Sequence, residues 1–354
     1  MGGEMAFTDL HNNYTLYLSP SLRGATDTIR EPLMAFLGES RFVHLCSQQV
    51  ADNKIVDALA DLENKRNGRA KVLIESDYIY ERKPLAGSLI WEMQGEREQN
   101  RQCLLAMMRG GVEVRADQIK GALQHTNLIL SEKEDGGKLI FVTSANLSPG
   151  SIGTHYNWGI VLNNPPFFDA AQRLFNNSWD GDFRDAFFSH EAKFAKEVLA
   201  CAAGANGQAT DLAEECIDKA EEYICFAYFN LSTDSRVDKA LRGAIERGVR
   251  VYGVVDGDQA GTSWDAVPQL RKIGVDVRYY PGVLTGALGR MHYKMLSVDG
   301  KLTHVTTANA SHAAEDSFEF GLTIISQITQ NISHFIQSEI DRLMQNARVP
   351  QEDT

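Results

Sequence analysis

Near the C-terminal end of the chain, His292, Lys294, Asp299, Asn309 and Glu319 have types and spacing suited to chemistry on an anionic centre. An imidazole attacks or carries protons, an ammonium and a carboxamide stabilise developing negative charge, and a carboxylate can orient the imidazole. The first three form His-x-Lys-x4-Asp; Asn309 closes a Thr-Ala-Asn turn, and Glu319 lies in the next apolar run. The three-residue pattern alone is weak, because such triplets recur by chance. A second set strengthens it. Upstream, His125 is followed by Asn127 in the lysine position, Glu132 in the aspartate position and Asn146 in a Ser-Ala-Asn turn. Aligning Trp158-Gly159 with Phe320-Gly321 puts Asn157 opposite Glu319. The upstream copy keeps the histidine and the turn but lacks the cation and the acid.

The elements that must position these residues also read twice. Residues 41–50 and 221–232 are short apolar runs suited to strands, followed by helix-periodic stretches at 55–69 and 237–250 and strands at 71–76 and 251–257. Each copy then shows a helix ending in Gly and a short strand, at 103–115 and 270–278, and a Gly-Ala-Leu tripeptide, at 121–123 and 286–288. The histidine-bearing strands 125–132 and 292–299 align without a gap; strand-turn segments follow at 141–148 and 304–311, and last strands at 155–162 and 317–324. Alternating strands and helices predict an α/β sandwich in each half. A helical stretch ending near Ala203 and a connector within 201–211 divide the chain into 1–203 and 204–354, with an amphipathic helix at 332–346 and a frayed tail at 349–354.

On these residues the chain resembles the phospholipase D superfamily, over roughly residues 40–180 and 210–330. The resemblance implies a duplicated phospholipase D-like α/β fold, its halves related by a pseudo-twofold axis. It also implies metal-independent phosphodiester cleavage through a phosphohistidine, with no cofactor. His292 is expected to attack and His125 to protonate the leaving oxygen, while Lys294 and Asn309 hold the non-bridging oxygens. Residues i and i+2 of a strand share a face, so His292 and Lys294 are expected to project together. Glu319 is expected to fix the tautomer of His292, leaving His125 without a carboxylate partner. Asn146, Asn127, Thr307, Ser144 and Arg290 are further candidates to touch substrate. Asp299 lies an odd number of positions from Lys294, so it and Glu132 are expected to be structural, Asp299 pinning the turn. Trp158 and Phe320 read as core, His155 and His312 as exposed.

The formal net charge of -12 argues against a protein that coats nucleic acid over its whole surface. Between Arg271 and Lys294, however, five basic residues (Arg271, Lys272, Arg278, Arg290, Lys294) face one acid, Asp276, a local bias suited to an anionic substrate. On that basis a nuclease acting on DNA or RNA ranks first among the superfamily's activities. A phospholipase or phosphatidyl transferase acting on anionic phospholipid is the alternative, and a catalytically weak binding or scaffold protein the third reading. The first ten residues lack a signal-peptide pattern, no apolar run is long enough to span a bilayer, and five cysteines form no CxxC pair. A cytoplasmic location is the expectation. A monomer suffices for a cleft built from two copies, and a homodimer is conceivable.

Overall fold

The computed structural model describes residues 6–9, 14–20, 29–65, 67–79, 96–117, 123–183, 186–187, 192–194, 197–205, 207–326 and 332–349. Gly121, Ala122 and residues 350–354 of the expected tail lie outside them.

The first half begins with β1 (Ala6–Asp9), β2 (Tyr14–Ser19), α1 (Arg30–Glu39), β3 (Ser40–Ser47), α2 (Asn53–Lys65) and β4 (Arg69–Ile74). It continues through α3 (Glu96–Arg109), β5 (Glu113–Ala116), β6 (Leu128–Lys133), β7 (Lys138–Thr143), α4 (Pro149–Gly153), β8 (Asn157–Leu162) and α5 (Pro165–Trp179). The second half opens with β9 (Ala186–Phe187), β10 (Ala192–Phe194), β11 (Glu197–Gly204), α6 (Gln208–Asp218), β12 (Tyr223–Tyr228), α7 (Arg236–Glu246) and β13 (Arg250–Asp256). There follow α8 (Val267–Lys272), β14 (Asp276–Tyr280), β15 (Lys294–Val298), β16 (Leu302–Thr306), α9 (His312–Glu315), β17 (Glu319–Ser326) and α10 (Ile332–Asn346).

The strands form two mixed sheets of matching order, β1-β2-β8-β7-β6-β3-β4-β5 and β10-β11-β17-β16-β15-β12-β13-β14, with β9 paired to β11. Matching the two orders makes β2 the counterpart of β11 and α1 the counterpart of α6. The duplicated unit is therefore larger than the motif repeats alone indicated, since it takes in the N-terminal hairpin. The helical stretch expected before Ala203 is instead β11, paired antiparallel along β17 from Glu197↔Ser326 to Gly204↔Glu319. Its Glu, Leu and Ala residues suit a helix by propensity, but backbone pairing with a central strand overrides that preference. The division expected at 203/204 thus runs through a strand of the second sheet.

Local patterns explain the helices. In α2, Ile55, Leu59 and Leu62 recur on one face and are buried; in α7, Val237, Leu241 and Ala244 do the same, behind a Ser235 cap whose hydroxyl accepts from the Asp238 amide at 3.3 Å. The face of α10 made by Ile332, Ile336, Ile340 and Leu343 is fully buried. One apolar cluster joins the halves: Leu128, Trp158 and Phe175 of the first half pack in it with Met295, Phe320 and Ile336 of the second. Two further large clusters sit on the outer sides of the sheets, one in each half. Trp158 and Phe320 are fully buried, and the Trp158 indole donates to the Thr306 carbonyl across the halves at 3.2 Å.

Asp299 adopts a left-handed backbone (φ 52°) in the turn after β15. Its carboxylate accepts the backbone N–H groups of Glu221 (2.8 Å), Glu222 (3.0 Å) and Tyr223 (2.7 Å), tying that turn to the start of β12. Glu132 does not share this geometry: it lies within β6, paired with Phe42 and Lys138, and the first-half turn comes two residues later. Asp299→Asn keeps a residue that tolerates positive φ but removes the charge from three hydrogen bonds. We expect it to lower unfolding free energy by about 1–3 kcal/mol in urea titration.

Candidate active site

The two histidines sit just before the strands rather than on them, in segments that cross to the other half. His125 N–H donates to the Phe318 carbonyl (2.9 Å) and Phe318 N–H to the Leu123 carbonyl (2.7 Å). The second copy repeats this with His292 N–H to Tyr156 (2.9 Å) and Tyr156 N–H to Arg290 (2.8 Å). Such reciprocal bridges are what a pseudo-twofold axis produces. They also make Leu123 the counterpart of Arg290, so the two Gly-Ala-Leu tripeptides are offset and not equivalent.

Because each histidine pairs beside the other half's last strand, its orienting partner comes from that half. His125 Nδ1 lies 2.9 and 3.0 Å from the two Glu319 oxygens. His292 Nδ1 lies 2.9 Å from Asn157 Oδ1. This reverses the expected pairing: Glu319 holds His125, and the loss of the acid at position 157 falls on His292. The Asn157 amide is itself fixed, since its Nδ2 donates to the Ser151 carbonyl (2.8 Å) and its Oδ1 accepts from Ser144 Oγ (2.9 Å). Its oxygen therefore faces His292, which makes Nδ1 the protonated nitrogen and leaves Nε2 with a lone pair. Thr307 does for Glu319 what Ser144 does for Asn157, donating to Oε2 at 2.5 Å. Ser144 and Thr307 are fully buried, so they brace the orienting side chains and do not face substrate.

Lys294, the first residue of β15, places its ammonium 3.0 Å from both ring nitrogens of His292 and 5.5 Å from the centre of the Phe229 ring. Burial pushes the Lys294 ammonium down to about 7, opposed by the charges of Glu319 and Asp256. Burial, then Lys294 and His125, hold His292 well below the usual imidazole range. His155, expected to be solvent-exposed, lies with its ring 6.3 Å from that of His292 and is lowered to about 4 by burial, Arg290 and Lys294. His292 remains partly open to solvent, and His125 is 7 % exposed.

The first-half polar set is internally satisfied. Asn127 has a positive φ of 40°, is fully buried, accepts from Ser47 Oγ at 2.6 Å and lies 3.5 Å from Asn146, which donates to Gln48 at 2.9 Å. Asn127 is thus a network residue and not an open substrate contact. Asn309, the counterpart of Asn146, has a buried Oδ1 with no partner among the described residues, so its amide is the less committed of the two. Arg290 is exposed and stands 3.6 Å from Asp258. The five cations of 271–294 do not converge. Arg278 pairs with Asp276 and Arg271 bonds the Val277 carbonyl, both at edge strand β14, and Lys272 is exposed nearby. Only Arg290 and Lys294 stand beside His292.

Two acids that motif reading missed hold the backbone next to each histidine. Glu75 Oε2 accepts from Gln124 N–H (2.5 Å), and Asp256 Oδ2 from Met291 N–H (2.7 Å). Each also receives an N–H from two residues further on, Asp77 (3.1 Å) or Asp258 (2.9 Å). The signal was present: an acid stands second from the end of both segments 71–76 and 251–257, Glu75 and Asp256.

This arrangement, two copies of one α/β unit contributing one histidine each to a shared polar site, defines a duplicated two-histidine fold. The family described as "Cardiolipin synthase, PLD-like domain" matches residues 34–179 and 214–344, and the chain belongs to the phospholipase D superfamily. No curated protein sequence matches the chain. Among solved structures it resembles phosphatidylserine synthase from Haemophilus influenzae, at 12% identity and a TM-score of 0.64 over 95% of this chain and 87% of that one. It also resembles polyphosphate kinase from Porphyromonas gingivalis, at 14% identity and a TM-score of 0.58, where it spans 96% of its own length but 53% of the kinase. The phospholipase D family member Nuc from Salmonella typhimurium aligns with 43% of this chain and 97% of its own, at 19% identity and a TM-score of 0.39. At these identities the likeness to the synthase and the kinase is one of fold.

Asp256 is fully buried, and burial raises its carboxyl from 3.8 to about 6. The unfolded chain loses this proton at lower pH than the folded one, so stability falls as pH rises from about 4 to 6 and is level above. The shift corresponds to roughly 3 kcal/mol. Urea titrations at a series of pH values should show that slope in the wild type and a flatter one in Asp256→Asn.

Proposed function

We propose that the protein is a phosphodiesterase that works through a covalent phosphohistidine on His292, with His125 as general acid and then general base. The reading is carried by the unequal partners of the two rings. Held neutral with its lone pair on Nε2, His292 is ready to attack phosphorus. Glu319 can balance a proton on His125, leaving Nε2–H to protonate the leaving oxygen as the phosphorus–oxygen bond breaks. Lys294 and Asn309 take the charge of the non-bridging oxygens. His125, now neutral, accepts a proton from water or an alcohol, whose oxygen displaces His292 and regenerates both rings. Water gives hydrolysis; an alcohol gives transfer. The scheme routes no step through a metal.

A nuclease acting on DNA or RNA was favoured by the basic segment. With Arg271, Lys272 and Arg278 at the sheet edge, the charge near His292 suits a single phosphodiester better than a long polyanion. We therefore place a phospholipid ahead of nucleic acid, which remains the second reading because Lys294 and Arg290 still offer cations to a strand end.

With bis(p-nitrophenyl) phosphate in EDTA, we expect steady turnover that His292→Ala lowers by about a thousandfold or more. His125→Ala should still release one equivalent of nitrophenol, because that leaving group needs no proton, and then stall as an acid-labile, base-stable phosphoenzyme. A burst in His292→Ala, or no trapped phosphoenzyme, would reject the assignment. In the free enzyme kcat/KM should decline as pH rises above about 7, where Lys294 loses its proton. Lys294→Met should abolish that limb together with most of the rate.

A further inference from the structure

We propose that residues 282–289 form a membrane-docking loop that seats the active site on a phospholipid bilayer, a proposal that rests on the phosphodiesterase reading above. The segment Gly-Val-Leu-Thr-Gly-Ala-Leu-Gly carries no charged residue. Leu288 is 95% exposed, Leu284 85% and Val283 42%. One exposed leucine needs no explanation, but three large aliphatic side chains within six residues of one loop do.

The backbone beneath them is well held. Asp258 accepts from Val283 N–H (3.2 Å) and Leu284 N–H (3.0 Å), while Gly286 and Ala287 donate to the Val283 and Gly282 carbonyls, each at 3.1 Å. Gly289 approaches the other half so closely that a Cβ there would lie 2.0 Å from the Thr154 carbonyl oxygen. The loop then runs directly into Arg290, Met291 and His292. Asp258, which holds its start, is two residues from Asp256, which holds Met291. The apolar tip and the attacking imidazole therefore share one frame. Trp264, 49% exposed, lies in the loop after β13 at the same end of the sheet, a residue type that suits the headgroup level of a membrane.

Three occupants can be compared. Nucleic acid would meet no cation on the loop, on a chain of net charge -12. A protein partner in a stable complex needs a broad surface, on the order of 800 Å² per side, and a narrow tip bearing three aliphatic side chains offers little of that. A bilayer interface accepts an uncharged apolar wedge, and the Val283, Leu284, Gly286 and Ala287 amides of this one are already paired, which lowers the polar surface that must be stripped of water. Arg290, two residues beyond Leu288, would then lie level with the headgroup phosphates, and the lipid phosphodiester would be presented beside His292.

The test uses the full chain and vesicles of phosphatidylcholine with a minority of phosphatidylglycerol. We expect the chain to float with the vesicles and to stay bound when salt is raised, because the attachment is apolar. Leu284→Ser/Leu288→Ser should weaken partitioning by roughly tenfold or more and slow headgroup release in parallel, while turnover of bis(p-nitrophenyl) phosphate is unchanged. All five native cysteines are buried, so Leu284→Cys can be labelled selectively with an environment-sensitive dye, whose emission should shift to the blue on vesicle addition. Docking is overturned if wild type does not bind vesicles, if the double variant binds equally, or if the dye stays in water. A concentration-dependent dimer that the double variant loses would assign the loop to protein contact instead. Failure to hydrolyse the soluble diester sinks the phosphodiesterase reading; hydrolysis without vesicle binding sinks only the docking.

Discussion

Everything in the site depends on a reciprocal contact between the halves, in which the segment before each histidine pairs with the segment before the other half's last strand. The bridges Gln124↔Phe318 and Tyr156↔Met291 set the height and rotation of both rings at once, and rotating one half against the other would open both. A backbone hydrogen bond contributes only about 1 kcal/mol net. Burying side chains such as Trp158, Phe320 and Ile336 contributes about 2–3 kcal/mol each. The shared apolar layer therefore holds the halves together, while the polar bridges choose the register at which they meet.

Within that frame the two copies have diverged in charge more than in geometry. Glu75 and Asp256 hold equivalent amides, and Ser144 and Thr307 brace equivalent orienting groups. What differs is electrical. One ring has a carboxylate beside it, while the other has a carboxamide and a buried ammonium. A symmetric pair of histidines would have no reason to take different roles; the unequal partners supply one. The degraded motif in the first copy is thus an asymmetry that the proposed chemistry can use, since position 157 contacts the second copy's ring.

The duplication was legible because strand and helix periodicities are local. The helix expected at 332–346 has those bounds, residues 41–50 cover all of β3 but its first residue, and 221–232 contain β12. Two segments escaped. The N-terminal hairpin carries no motif to align, and β11 reads as helix until its pairing with β17 is known. The basic segment misled for a related reason: adjacency in sequence placed five cations together, whereas the strand β14 and the loop after it carry them to different places.

The sequence by itself determined that the chain is an α/β duplication and which residue types stand at each equivalent turn, because these follow from short-range patterning and from comparing the chain with itself. It could not say which acid serves which histidine. Glu319 and His125 are 194 positions apart, and they meet only because the segment before the last strand of one half pairs with the segment before the histidine of the other. The partner of each ring, the burial that keeps His292 neutral and the exposure of Leu284 and Leu288 beside it are all consequences of how the two sheets face each other, a relation no local pattern encodes.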